Sequence, residues 1–292
     1  MGLTLRRFAS FMRSSGKWRL ALLLLVVAVA GATAAGAAPS VRGTIRFESF
    51  HSAALAGTVH YSVYLPPGYA TSGKRYPVIY FLHGLPAGGT TYQSIAQLAA
   101  AVEATGKPAI VIGAQGARAG DTDPEWRNWG AGRNWETATA KELVSVVDSR
   151  YRTIAARSGR LLVGISAGGY GATLIALHNP GIYSVVESWS GYFQPTDPTG
   201  TKTLNLGADT DVHQVLPTVR AALRSTKTFI AFYVGRSDWR FFAENETFNQ
   251  ELSENGVAHV FRAYPGGHDQ VLWQRYAAPW VELALVHLAP AH

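Results

Sequence analysis

The chain has 292 residues, 47% of them hydrophobic, and no cysteine. That length suffices for one large core, and the missing thiols exclude a disulfide framework, a lipid-modified N-terminal cysteine and a thiolate metal site. The formal charge of +7 resides mostly in the first 38 residues, whose five cations leave 21 Lys and Arg against 19 Asp and Glu beyond them; a basic stripe for nucleic-acid phosphates is therefore not supported.

The leader comes first. Arg6, Arg7, Arg13, Lys17 and Arg19 precede an apolar run over 20–30 and a small-residue stretch over 31–38, with no acidic residue before position 39. A cationic start, an apolar centre and Ala35-Gly36-Ala37 read as a signal peptide over 1–38, cleaved near Ala37 or Ala38. This predicts export to the cell envelope or beyond, with one catalytic domain over 39–292. An uncleaved anchor is the alternative, because 20–38 approaches the length that spans a bilayer, and membrane contact would then be through the leader. Arg6-Arg7 followed by Phe8-Ala9-Ser10 fits a twin-arginine signal poorly and reads as ordinary leader charge.

Behind the leader, short β-branched runs alternate with longer helical patterns, and no internal repeat occurs. Residues 59–65 alternate as an early strand that stops at Pro66-Pro67-Gly68. The run 78–82 is continuously apolar and suits a strand buried on both faces; 109–112, 161–163, 185–188 and 229–234 repeat that character, and 258–263 reads as a last strand. Helical candidates lie at 92–104, 136–151, 167–178, 241–255 and 270–288, with Asn255-Gly256 as a stop signal. The alternation predicts an α/β fold with a mainly parallel central sheet of six or more strands and helices on both faces. The stretch 194–216, rich in Asp, Thr, Pro and Gly, reads as a long loop or cap.

Within this frame Gly164-Ile165-Ser166-Ala167-Gly168 follows a strand and opens a helix. That context gives Gly-x-Ser-x-Gly its chemical meaning. A serine on a sharp strand-to-helix turn stands above the sheet, and the helix N-terminus supplies positive potential where an oxyanion would form. Ser166 is the expected nucleophile; an N-cap beside a glycine turn is the bland alternative. In α/β-hydrolases an acid and then a histidine follow the serine in sequence. His213, His259 and His268 lie in expected loops or strand ends; His268, in the turn Tyr264-Pro265-Gly266-Gly267-His268, is favoured, while His259 alternates within a strand. For the acid, Asp238 follows the strand 229–234 through Gly235-Arg236-Ser237. Glu244 and Glu246 remain alternatives, and Asp269 is poorly placed beside the histidine. An oxyanion hole needs two backbone N–H groups: Ala167 supplies one and Leu85, in Leu82-His83-Gly84-Leu85, the other. His83 has no partner at metal-ligand spacing and reads as a structural histidine, so neither metal nor cofactor is expected.

Over about 61–288 the chain resembles the esterase D-like family of α/β-hydrolases, which includes feruloyl esterases, S-formylglutathione hydrolases and mycolyltransferases. The likeness rests on Leu82-His83-Gly84, Trp135-Glu136-Thr137 with Lys141-Glu142-Leu143-Val144, the run from Gly164 to Ala172, and Gly267-His268-Asp269 with Trp273. It implies an α/β-hydrolase fold and an acyl-enzyme mechanism carried by Ser166, Asp238 and His268. Ala167 stands where many relatives carry methionine, which changes the pocket wall and keeps the backbone donor. Mycolyltransferases use glutamate as the acid, so Asp238 leans towards the esterases. The expected substrate is a small-molecule or cell-envelope ester. The rival readings are acyl transfer to a sugar hydroxyl and an inactive envelope-binding module. The loop 121–135, with Trp126, Trp129 and Trp135, is a candidate platform for a sugar or an aromatic acyl group; tryptophans packing the loop onto the domain are the alternative.

Overall fold

The computed structural model describes residues 41–121 and 125–292. The expected leader, 1–38, lies outside them. Eight strands form one sheet in the order β1-β2-β4-β3-β5-β6-β7-β8. The first two, β1 (Thr44–Ser52) and β2 (Gly57–Leu65), make an antiparallel hairpin, and β2 runs antiparallel to β4. A short helix α1 (Tyr69–Ser72) leads to the central strand β3 (Val78–Leu82). The helix α2 (Ala96–Ala104) leads to β4 (Ile110–Ala114), and from β4 across to β8 all neighbours are parallel.

The segment 136–151, expected as one helix, is a compound one. A turn α3 (Trp135–Thr137) passes through a π-helical stretch, Ala138–Leu143, into α4 (Val144–Arg150). The remaining elements alternate as their sequence patterns predict: β5 (Arg160–Ile165), α5 (Ala167–His178) and β6 (Val185–Trp189). After α6 (Val212–Ser225) come β7 (Phe229–Gly235), α7 (Phe242–Glu254), β8 (His259–Tyr264) and α8 (Gln270–Leu285). Gly256, at φ 63, takes the left-handed conformation that ends α7.

Alternate residues of the buried strands feed two cores, one on each face of the sheet. Val78, Tyr80, Leu82 and Leu162 pack with Leu174, Ile175, Leu216 and Phe248, from α5, α6 and α7. Ile79, Phe81, Leu161 and Val163 pack with Leu98 and Val102 of α2 and Trp280 and Val281 of α8. With both faces covered, β3 is buried along its whole length, which explains its unbroken apolar sequence. This is the α/β-hydrolase arrangement.

Two boundaries and one strand depart from the sequence expectation. The irregular stretch expected over 194–216 ends at Asp211, whose side chain caps α6 by accepting from the His213 backbone N–H at 3.0 Å. The helix buries Val212, Val215, Leu216 and Leu223, a helical spacing that Pro217 in its interior obscures. The helix expected from 92 begins only at Ala96, after a 3₁₀ turn at Thr91–Gln93. The outer strand β1 carries no apolar run to mark it in the sequence, because its residues are mostly exposed, as an edge strand's are.

Candidate active site

Three parallel strand ends converge at one edge of the sheet. At the end of β5, Ser166 has φ 55 and ψ −122, a positive-φ conformation that costs a non-glycine residue roughly 1–3 kcal/mol. The surroundings fix it there. The Ser166 N–H donates to the Trp189 carbonyl at 2.9 Å. The flanking glycines are packed against backbone: a Cβ on Gly164 would lie 2.0 Å from the Gly168 carbonyl oxygen, and one on Gly168 would lie 2.0 Å from that of Leu82. The turn therefore closes only with glycine at both positions, and the strain is carried by the serine whose hydroxyl it presents.

The turn after β8 brings His268 to this hydroxyl, with Nε2 at 2.8 Å from Ser166 Oγ. On the other side of the ring, Nδ1 lies 2.7 Å from Asp238 Oδ2. Asp238 stands just past β7, its backbone N–H bonded to the Gly235 carbonyl at 3.0 Å and its side chain almost fully buried. A carboxylate at Nδ1 selects the tautomer in which Nδ1–H donates to aspartate and Nε2 accepts from the serine. Asp238 Oδ1 is buried and faces the Arg240 guanidinium at 3.9 Å.

Aromatic side chains fix the imidazole plane. Phe241 and Trp273 meet it edge to face at 5.3 and 5.2 Å. The Trp273 indole N–H donates to Ser190 Oγ at 3.0 Å, which anchors that ring to the turn after β6. Neither Phe241 nor Ser190 stands out in the sequence; Trp273 does so only through the family resemblance.

The other side of the site is the loop after β3. Gly84 passes so close to the serine turn that a Cβ would sit 2.9 Å from the Ile165 carbonyl and 3.0 Å from Ser166 Cβ. Leu85 and Ala167, the expected oxyanion donors, line one small cavity with His83, Gly84, Gly116 and Trp126. His83 lies underneath. Its Nε2 accepts from the Gly116 N–H at 3.1 Å, which leaves Nδ1–H to donate to the Gly84 carbonyl at 3.0 Å. Burial lowers its pKa to about 4, so the ring is neutral at pH 7. Trp126 braces the same loop, donating from its indole N–H to the His83 carbonyl at 3.2 Å.

The other acidic and histidine candidates lie elsewhere. His213 is on α6, not in a loop, with Nδ1 at 2.6 Å from Glu251 and Nε2 at 3.5 Å from Glu244. Glu244 also accepts the Phe193 N–H at 2.7 Å, and Glu246 is exposed on α7. Asp269 caps α8 through the Leu272 N–H, and His259 is in β8. Of the three tryptophans of 121–135, Trp126 and Trp135 are buried, as in the packing alternative; Trp129 is partly exposed under the Arg127 guanidinium at 4.0 Å. Residues 122–124 of that loop lie outside the described ones.

The Esterase family model matches residues 52–277. Two Mycobacterium tuberculosis proteins, each called an esterase, are 28% identical over 250 residues, covering 75% of this chain and 54% of theirs. The chain thus spans about half the length of these curated relatives. Among solved structures, a ferulic acid esterase superposes with a TM-score of 0.70 at 20% identity, covering 86% of this chain and 100% of the other. An S-formylglutathione hydrolase from Agrobacterium tumefaciens gives 0.70 at 15% identity, covering 86% and 98%. A fluorophosphonate-binding serine hydrolase from Staphylococcus aureus gives 0.67 at 20% identity, covering 82% and 98%. At such identities the structural likeness is one of fold, whereas the sequence model extends over most of the chain. The protein belongs to the esterase family, on an α/β-hydrolase fold.

Proposed function

We propose that the protein hydrolyses carboxylic esters through an acyl-enzyme on Ser166. The observation that carries the reading is the unbroken hydrogen-bond chain from Ser166 Oγ through His268 to Asp238, at 2.8 and 2.7 Å, on a strained strand-to-helix turn. As Ser166 Oγ bonds to the ester carbonyl carbon, its proton passes to His268 Nε2, and the carbonyl oxygen becomes an alkoxide held by the N–H groups of Leu85 and Ala167. The carbon–oxygen bond to the alcohol then breaks, and the leaving alkoxide takes the proton from Nε2. Water repeats the sequence on the acyl-enzyme and releases the acid. Asp238 keeps the tautomer and stabilises the imidazolium, and Arg240 faces the carboxylate oxygen that His268 does not use.

Export belongs to the same proposal. It rests on the cationic and apolar pattern of the first 38 residues. N-terminal sequencing of protein recovered outside the cell should begin near residue 38 or 39, whereas a full-length, membrane-bound form would replace export by anchoring.

The catalytic test is turnover of p-nitrophenyl esters of increasing chain length, with and without trehalose as acceptor. Free acid as the main product, and its loss in a folded Ser166→Ala variant, is the expected result. Acyl groups delivered mainly to the sugar would keep the serine, histidine and aspartate roles and replace hydrolysis by transfer.

A further inference from the structure

Strand β1 closes one edge of the sheet and pairs on one side only. Its neighbour shows which of its backbone groups face outward. In β2 the His60 N–H turns away from β1 and donates to Gln115 Oε1 at 2.7 Å, so His60 and the residue opposite it, Ser49, exchange no backbone hydrogen bond. The alternation of an antiparallel ladder then points the N–H and C=O groups of Ile45, Phe47 and Ser49 out of the sheet. The Ser49 carbonyl agrees with this: it accepts from the Arg150 guanidinium at 2.9 Å and keeps a second lone pair. An open hollow of about 550 Å³ runs along the edge, with Arg46, Phe47, Glu48 and Ser49 in its lining.

An edge of this kind accepts a further strand unless proline, lysine or a bulge prevents it. Strand β1 has neither proline nor lysine, and its nine residues pair with β2 in unbroken register. Its side chains divide between the two faces. Phe47, 57% exposed, meets Tyr92 edge to face at 6.2 Å on one of them. Arg46 and Glu48 share the other, and among the described residues neither enters an ion pair. Charges of one sign would repel a second copy. These two are opposite in sign and straddle Phe47, an arrangement complementary to itself when reversed.

We propose that β1 is a self-pairing edge: a second copy of this chain adds its own β1 antiparallel about a two-fold axis at Phe47, so that one sheet runs through both copies. At the axis the two Phe47 residues exchange backbone hydrogen bonds, and their rings lie side by side on one face. The Ile45 N–H meets the free lone pair of the partner's Ser49 carbonyl, and the reverse bond completes the pair. On the opposite face Arg46 stands across from the partner's Glu48, twice over by symmetry. Charge selects this register among its neighbours, because an axis on Arg46 or on Glu48 would set like charges face to face. Ser166 follows β5, four strands further in, so both active sites stay clear of the contact. A single strand pair is a small interface, and the dimer therefore depends on concentration.

The test is sedimentation of the purified chain over a concentration series from about 1 to about 500 µM. The wild type should pass reversibly from monomer to dimer. Arg46→Glu and Glu48→Arg should each weaken self-association about tenfold or more, since each sets like charges opposite one another at two places. The double variant, with the two charges exchanged, should recover it. Mixing the two single variants, neither of which self-associates, should give a heterodimer, because every facing pair is then of opposite sign. Phe47→Pro removes the outward N–H at the axis, a position where an edge strand tolerates proline, and should abolish the dimer. The far-ultraviolet circular dichroism and melting temperature of each variant, close to those of the wild type, show that the fold is kept. A wild type that is monomeric throughout would overturn the proposal. So would association that both single reversals leave unchanged, which would place the contact on another face or on the leader. Reversals that weaken the dimer without recovery in the double variant or the mixture would equally overturn the Phe47 axis.

Discussion

Lowering the pH from 7 to 4.5 should cost folding stability through a buried histidine beneath the loop that carries Leu85. His83 is buried with Nε2 accepting from the Gly116 N–H and Nδ1–H donating to the Gly84 carbonyl. A proton added at Nε2 would turn that acceptor into a donor facing a donor. Burial is the chief cause of its pKa falling from 6.5 to about 4, with the bond to Gly84 opposing. Between those values the unfolded chain binds the proton and the folded one does not, so this contribution to stability is complete above pH 6.5 and drains away as the pH falls towards 4. At 1.36 kcal/mol per unit of pKa difference, the step from pH 7 to 4.5 removes about 2.5 kcal/mol. Glu125 lines the same cavity, but its carboxylate is occupied by Arg127, the Tyr192 hydroxyl and the Thr196 N–H. Urea unfolding of the wild type and His83→Gln at both pH values isolates the effect, because an amide fills both bonding roles without titrating. The wild type should lose about 2.5 kcal/mol more than the variant over that interval. Equal losses would refute the neutral, buried histidine and the bonding derived from it.

Three further outcomes follow from the same geometry. Ser166→Ala and His268→Ala should each lower kcat at least about 10³-fold with unchanged thermal unfolding, and Asp238→Asn by a comparable or smaller factor, while Glu244→Gln stays active in the steady-state ester assay. Trp126→Phe keeps most of the packing but removes the N–H that satisfies the His83 carbonyl; kcat should fall about tenfold with little change in KM, and a change confined to KM would place Trp126 against substrate instead. The pKa of His213 is raised to about 9, since burial is outweighed by the bonds that its ring donates to Glu244 and Glu251; its contribution is complete below pH 6.5 and lost as the pH rises through 9. It amounts to about 2 kcal/mol once partial exposure is allowed for, read as the excess loss of urea stability by the wild type over His213→Gln between pH 6 and 10.

What the sequence discloses and what it hides divide along a physical line. A contact set by backbone conformation leaves a local mark. The turn at Ser166 needs glycine at 164 and 168 because carbonyl oxygens fill the space of their Cβ atoms, so the motif is legible in five residues. Asp238 and His268 are legible because each follows a recognisable strand by a short turn, and strand ends in a parallel sheet gather at one edge. Helix α6 shows the reverse. Its apolar positions keep helical spacing, but Pro217 and the irregular polar stretch before it conceal the period, and only packing against the sheet reveals the helix.

The tryptophans show how composition misleads about exposure. Trp126, Trp129 and Trp135 form a conspicuous cluster in a loop rich in polar residues, the composition of a ligand platform. Yet Trp126 fills the space left by the missing side chains of Gly116 and Gly171, and Trp135 is buried in the core. Trp239 stands alone in Asp238-Trp239-Arg240, with nothing around it to mark it. Its exposure arises because the turn after β7 must point Asp238 inward to reach His268, and the next side chain then faces solvent. The acid's burial and the indole's exposure are two results of one turn. A substitution that reverses the turn should therefore cost kcat as Asp238→Asn does, whereas Trp239→Ala, which removes only the solvent-facing ring, should leave the Asp238–His268 bond and kcat on a methyl ester close to those of the wild type.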